Sequence, residues 1–206
     1  LIAGPDRATA GVPPAKTSKI ASLCASNLQK VEREFSLPKG LLKAISLAET
    51  GWWDGKKGAS FAWPWTVTSG TWSQHFQTKD EAIREVKKLL SRKIGNIDVG
   101  CMQVNLGYHP KAFTSLEEAF DPASNIRYAA GFLKRLYHRK KSWATAVGAY
   151  HSSNAERGLR YRQKVHSLWR KVRVAAATQR RRAAIKAYQE RTAERNKLRK
   201  QRKSDS

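Results

Sequence analysis

Cysteine occurs twice and methionine once in 206 residues, and 16 acidic side chains stand against 40 lysines and arginines. The two cysteines, Cys24 and Cys101, show no Cys-x-x-Cys spacing, and no further Cys or His is spaced to complete a metal site, so no metal or other cofactor is expected. In an oxidising compartment the pair can form one bridge across a large loop; in a reducing one they are two buried thiols. No apolar run is long enough to span a bilayer. Internal repeats and βαβ alternation are also missing, which excludes solenoids and parallel-sheet folds. The shortage of acids leaves a formal net charge of +24, so the expected partner is anionic.

What is present is a globular composition. Hydrophobic residues make up 40% of the chain and seven are tryptophans, which argues against disorder despite the charge. From Val172 onward twelve basic residues face three acidic ones, a net of +9, and the preceding residues carry the remaining +15. Composition divides the chain into a linker over 1–17, a body over 18–172 and a basic helical or disordered tail over 173–206. The small residues Ala8-Thr9-Ala10 before Gly11 fit a leader-cleavage site, with Asp6-Arg7 against it, and Pro13-Pro14 reads as extended linker. Tyr188 is the tail's only aromatic and no nucleic-acid motif is visible, so no specific nucleic acid is expected. Anionic polymers or acidic lipid head groups account for the charge equally well.

The body reads as many helices around a minor β element, a mainly α (α+β) fold. Ile20, Leu23, Cys24, Leu28, Val31 and Phe35 recur at helical spacing over about 18–35. A second helix carries Leu41, Leu42, Ile45 and Ala48 and stops at Gly51. Phe61 to Thr68 is β-rich and turns at Ser69-Gly70, a small hairpin in which Pro64 would confine its strand to an edge. Thr78-Lys79-Asp80-Glu81 is a capping box, Ser115 and Asp121-Pro122 open further helices, and Trp143 and Tyr161 mark the last two.

Three stretches can carry chemistry. Glu49 shares a helix face with Leu42 and Ile45, so its carboxyl ends an apolar stripe at a helix C-terminus. Desolvation and the helix dipole both favour the protonated form, as a general acid requires. On position alone, a helix-end Glu turned to solvent is the simpler account. In Ile97-Asp98-Val99-Gly100-Cys101-Met102-Gln103-Val104-Asn105, paired amides at a Gly-rich bend suit sugar hydroxyls and N-acetyl groups, or equally a helix entry with capping amides. In Ala149-Tyr150-His151 a phenol ends an apolar face, the usual setting of a core tyrosine.

Together, Ala48-Glu49-Thr50-Gly51, Gly100-Cys101-Met102-Gln103 and Ala149-Tyr150-His151 resemble, in order, the Glu-Ser-Gly, Gly-Leu-Met-Gln and Ala-Tyr-Asn motifs of lytic transglycosylases. The stretch from Ile20 to Trp169 is similar to their Slt-type domain of lysozyme-like fold. Trp63-Pro64-Trp65-Thr66 and the 97–105 segment resemble a small specialised subgroup. The resemblance implies an exported or periplasmic monomer acting on peptidoglycan glycan strands, with a secretion machine as a further partner. Glu49 would be the lone acid/base, cleaving between N-acetylmuramic acid and N-acetylglucosamine and closing a 1,6-anhydro ring. Tyr150 would support the transition state, and Thr50, Met102, Gln103, Asn105 and His151 would contact substrate. It also implies a Cys24–Cys101 bridge beside the cleft.

The departures are Thr50 for Ser, Cys101 for Leu and His151 for Asn. A hydrolysing muramidase is the nearest rival and needs a second carboxylate, for which Asp54 and Asp98 are the candidates. A basic, non-catalytic binding protein for the wall or for nucleic acid is the rival from another class. The Trp63-Pro64-Trp65 segment reads as a sugar-stacking wall or an aromatic core patch.

Overall fold

The computed structural model of the protein describes residues 14–54 and 59–204. The expected leader site at 8–10 lies outside the described residues. The elements run α1 (Pro14–Glu34), α2 (Leu41–Thr50), β1 (Gly51–Asp54), β2 (Ala59–Ala62), β3 (Thr66–Ser69), β4 (Trp72–His75), α3 (Lys79–Ser91), β5 (Asp98–Val99), β6 (Val104–Asn105), α4 (Leu116–Ala119), α5 (Pro122–Lys140), α6 (Trp143–His151) and α7 (Ala155–Ser204). Pro14 opens α1 instead of extending a linker, because a missing N–H is tolerated in a first turn. Cys24, Leu28 and Val31 form its buried stripe.

Helix α2 is almost wholly interior, with Leu41, Leu42, Ala44, Ile45 and Ala48 buried. Its N-cap, Gly40, brings no side chain to satisfy the first amides. Glu32, buried on α1, does so instead: its carboxylate accepts from the N–H groups of Gly40 (2.8 Å), Leu42 (2.8 Å) and Lys43 (3.4 Å). The far end of α2 stops at Gly51, whose N–H returns to the Leu47 carbonyl.

The expected small hairpin, with Phe61 to Thr68 turning at Ser69-Gly70, falls in two β units. Strands β1 and β2 pair with each other, Gly51 opposite Ala62 and Trp53 opposite Ser60. Strands β3 and β4 belong to a separate four-stranded antiparallel sheet of order β4-β3-β5-β6. Pro64 lies in the turn between β2 and β3, not in an edge strand as anticipated. The 97–105 segment is strand, reverse turn, strand, pairing Thr68 with Asp98 and Asp98 with Asn105. Gly100 (φ 81) and Gln103 (φ 47) both adopt the left-handed region in that turn. A Cβ at Gly100 would stand 2.4 Å from the Asn125 side chain. Asn125 is fully buried and ties the turn down: its Nδ2 donates to the Val99 and Ala119 carbonyls, and its Oδ1 accepts from Met102 N–H.

This segment joins two cores. Ile97 and Val99 pack with Val67, Val86 and Phe120 under the sheet. Cys101, Met102 and Val104 pack with Leu42, Ile45, Ile126 and Leu133 among the helices. Cys24 and Cys101 are bonded, S–S 2.09 Å, tying α1 to the turn. Gly148 on α6 and Gly158 on α7 meet backbone to backbone, since a Cβ on either would lie 3.0–3.1 Å from the other's carbonyl oxygen. The result is a mainly helical body with small antiparallel sheets.

The chain divides into two compact units, one ending at Trp169 and the other beginning at Arg170, a few residues before the 172/173 boundary drawn from charge. The second unit is the remainder of α7, helical through Ser204, with Val174, Ile185 and Tyr188 exposed. Among the described residues no helix is long and apolar enough to cross a membrane.

Candidate active site

Glu49 occupies the last turn of α2, half-buried, with its side chain turned towards α7 and not to bulk solvent. The Tyr161 hydroxyl donates to Glu49 Oε1 at 2.5 Å across 112 positions of sequence. One helical turn further along α7, Lys164 Nζ donates to the Ala48 carbonyl at 2.6 Å. Burial pushes the Glu49 carboxyl up to about 7; the Tyr161 hydrogen bond opposes that, the negative charge of Asp98 reinforces it, and Lys164 opposes it weakly. A group in this state holds a proton at neutral pH yet releases it readily, which suits successive donation and acceptance.

Asp98, half-buried on β5, is itself pushed upward by burial and held by the Asn105 amide at 3.0 Å. Asn105 is a scaffold residue here. Its Nδ2 also donates to Asn96 Oδ1, and its Oδ1 accepts from the N–H groups of Gly107 and Tyr108. Gln103 is half-buried, and its Nε2 donates to the Thr66 and Gly100 carbonyls, both at 3.2 Å. Tyr150 directs its hydroxyl to the Met102 carbonyl at 2.9 Å, not to Glu49. Burial and the charges of Glu49 and Asp98 hold that phenol well above its ordinary value.

Two expected substrate contacts are interior residues. The Met102 side chain is fully buried in the helical core, so it offers a sugar no surface. Thr50 is buried as well: its Oγ1 donates towards the Ser46 and Cys101 carbonyls and accepts from Trp63 N–H. The extra methyl of Thr relative to Ser is absorbed in that packing. Trp63 is likewise core, its indole N–H donating to the Phe76 carbonyl, so the 63–65 segment is not a sugar-stacking wall along its first residue. Exposed aromatic faces occur instead at Trp53, Trp72 and Tyr108. Among the rival carboxylates, the Asp54 side chain lies outside the described residues, and Asp98 is the one that acts on Glu49 electrostatically.

His151 is exposed and stacks flat on Tyr161, ring centroids 4.3 Å apart and planes 4° from parallel. Burial of the ring's inner face, with Lys164 and then Arg157 nearby, lowers its pKa. In the sequence Tyr161 reads only as a helix-face apolar residue. The available signal was a hydroxyl-bearing aromatic where the α7 pattern otherwise uses Val165 and Leu168. Lys164 and Asn125 were also missed, since nothing local marks a side chain whose partners lie far away in sequence.

The opposing influences on Glu49 give a test that needs no substrate. Tyr161→Phe removes the donor that favours the carboxylate, so Glu49 should titrate above about 7. Asp98→Asn removes a repulsive charge, so Glu49 should titrate lower. Carboxyl-carbon NMR titration reads both shifts, and shifts of equal sign would refute the arrangement.

Among the described residues no group of three or more His, Cys, Asp or Glu could hold a metal ion. Residues 26–171 match the transglycosylase SLT domain, well over half of the chain. No curated protein and no solved structure matches it. The protected carboxyl of Glu49 thus lies inside a domain of known enzymology: the chain belongs to the transglycosylase SLT family, the lytic transglycosylases that cleave peptidoglycan.

Proposed function

We propose that Glu49 is the sole acid/base of a reaction that cuts the β-1,4 bond between N-acetylmuramic acid and N-acetylglucosamine and leaves 1,6-anhydromuramoyl ends. The observation that carries this reading is a desolvated carboxyl whose pKa is about 7 and whose Oε1 is occupied by the Tyr161 hydroxyl. Oε2 is then the oxygen that carries the proton. Glu49 gives it to the glycosidic oxygen as the C1–O bond breaks, and the N-acetylglucosamine strand leaves as an alcohol. The resulting carboxylate takes the proton of the muramoyl 6-hydroxyl while that oxygen bonds to C1. The enzyme returns to its starting protonation and no water enters.

The oxocarbenium-like transition state needs electron-rich neighbours. Tyr150 fits this role, because its phenol oxygen is near enough to Glu49 and Asp98 to feel both charges while its proton goes to the Met102 carbonyl. Gln103 and His151 are the remaining candidates for sugar contact. Thr50 and Asn105 act at one remove, by holding the turn and Asp98. SLT domains act on peptidoglycan outside the cytoplasm, and a periplasmic or exported monomer serving a secretion apparatus is the setting we favour. The basic α7 extension would meet anionic wall polymers or lipid head groups there.

A second reading, a muramidase that hydrolyses the same bond, is favoured by one observation: the charge of Asp98 acts on Glu49. Product mass separates the two. Digestion of purified sacculi should release muropeptides lighter by one water than reducing-end products; exclusively reducing-end products would overturn the sole-carboxyl mechanism and support Asp98.

A further inference from the structure

The rim of the site next to Glu49 is cationic in a way the bond cleavage itself does not use. Arg157, Tyr161 and Lys164 follow one another at i, i+4 and i+7 along α7 and therefore share a face. The middle residue of that face bonds Glu49, and the last bonds the carbonyl of the preceding Ala48. His151 lies flat against the same tyrosine and is exposed. Arg157 is exposed and has no ion-pair partner among the described residues. The nearest acid along the helix, Glu156, is already paired with Arg160. The Arg157 backbone N–H donates to Asn154 Oδ1, so the start of α7 is capped at that residue.

The Lys164 ammonium and the Arg157 guanidinium therefore both reach the His151 ring, which lies against the tyrosine bonded to Glu49. The guanidinium and the ammonium leave that corner positive, and the imidazole, held in its neutral form, adds an N–H donor. Glycan strands of N-acetylated sugars are neutral along their backbone. The anionic groups of peptidoglycan sit on the peptide stems, which are joined to the lactyl group of the muramoyl residue, the sugar on which the cut occurs. We propose that Arg157, with Lys164 and His151, binds a stem-peptide carboxylate, so that this enzyme selects peptide-bearing over peptide-free strands. The proposal rests on the reading in which Glu49 is the acid/base, since that fixes the muramoyl residue next to α7. A planar guanidinium presenting two parallel N–H donors matches a carboxylate, whereas the neutral amides of the sugars offer it no comparable partner.

The experiment compares two substrates prepared from the same sacculi, intact strands and strands stripped of peptide by an amidase, with anhydro products quantified by mass spectrometry. The wild-type protein should cut the intact strands with kcat/KM about tenfold higher, the usual scale of a charge-assisted contact at a partly exposed site. Raising ionic strength should shrink that ratio, because exposed charges are screened. Arg157→Glu should bring the ratio close to one through KM, while Arg157→Lys should retain most of it. Circular dichroism of both variants controls for folding. Equal cleavage of the two substrates by the wild type, with anhydro products from each, would overturn the stem-peptide site and leave the role of Glu49 intact. Absence of anhydro products from either would overturn that role, and this proposal with it.

Discussion

Glu49→Gln should lose at least about 10³-fold in lytic rate, the scale of removing a positioned general acid and base, and gain stability above neutral pH. The two effects share one cause. Burial raises the carboxyl from 4.5 to about 7 in the folded protein. Between these values the unfolded chain has released its proton and the folded chain retains it, so folding stability falls as pH rises across this window and is constant above it. Below about 4.5 both states are protonated and the group contributes no difference. A neutral amide avoids the loss while still accepting from Tyr161, and the gain should be on the order of 1–3 kcal/mol. Melting temperatures at pH 4 and pH 8 decide the matter: the variant should exceed the wild type at pH 8 and come close to it at pH 4, below the window. Equal curves at both values, or retained release of muropeptides, would remove Glu49 from its proposed role.

Cys24→Ser/Cys101→Ser should lower stability by about 4 kcal/mol, the loop-closure value for a 77-residue separation. For a chain of this size that is a fall of roughly 10 °C in Tm. Local consequences should follow as well, because the Cys101 carbonyl receives the hydroxyls of Ser46 and Thr50, the two residues that seat the last turn of α2 against the 100–103 turn. Calorimetry of the double variant and of the reduced wild type should agree. A melting temperature unchanged by either treatment would show that the bridge adds nothing.

Helix order and most boundaries were readable because the signals are local. The capping box of Thr78 and Glu81, the Asp121-Pro122 start of α5 and the stop at Gly51 all lie within a few residues of the ends they define. The β5-turn-β6 unit was not readable. Its strands are two residues long, and its turn is set by Asn125, more than twenty residues downstream. The motif residues were visible by type, but the work each does was not. Thr50 and Met102 proved interior, since whether a motif residue faces substrate or its own scaffold depends on neighbours that composition does not reveal. Tyr161 is the reverse case: an ordinary helix-face aromatic in sequence, joined to the Glu49 carboxyl by a hydrogen bond across 112 positions.

The seat of Tyr161 on α7 has a narrow tolerance. Tyr161 lies three residues beyond Gly158, where α7 touches α6 through bare main chain at Gly148. A single methyl group at either position must displace a carbonyl by a few tenths of an ångström, about the margin that separates a good hydroxyl–carboxyl contact from a stretched one. The reach of a phenol onto the Glu49 carboxyl is therefore inherited from two residues that contribute no side chain at all.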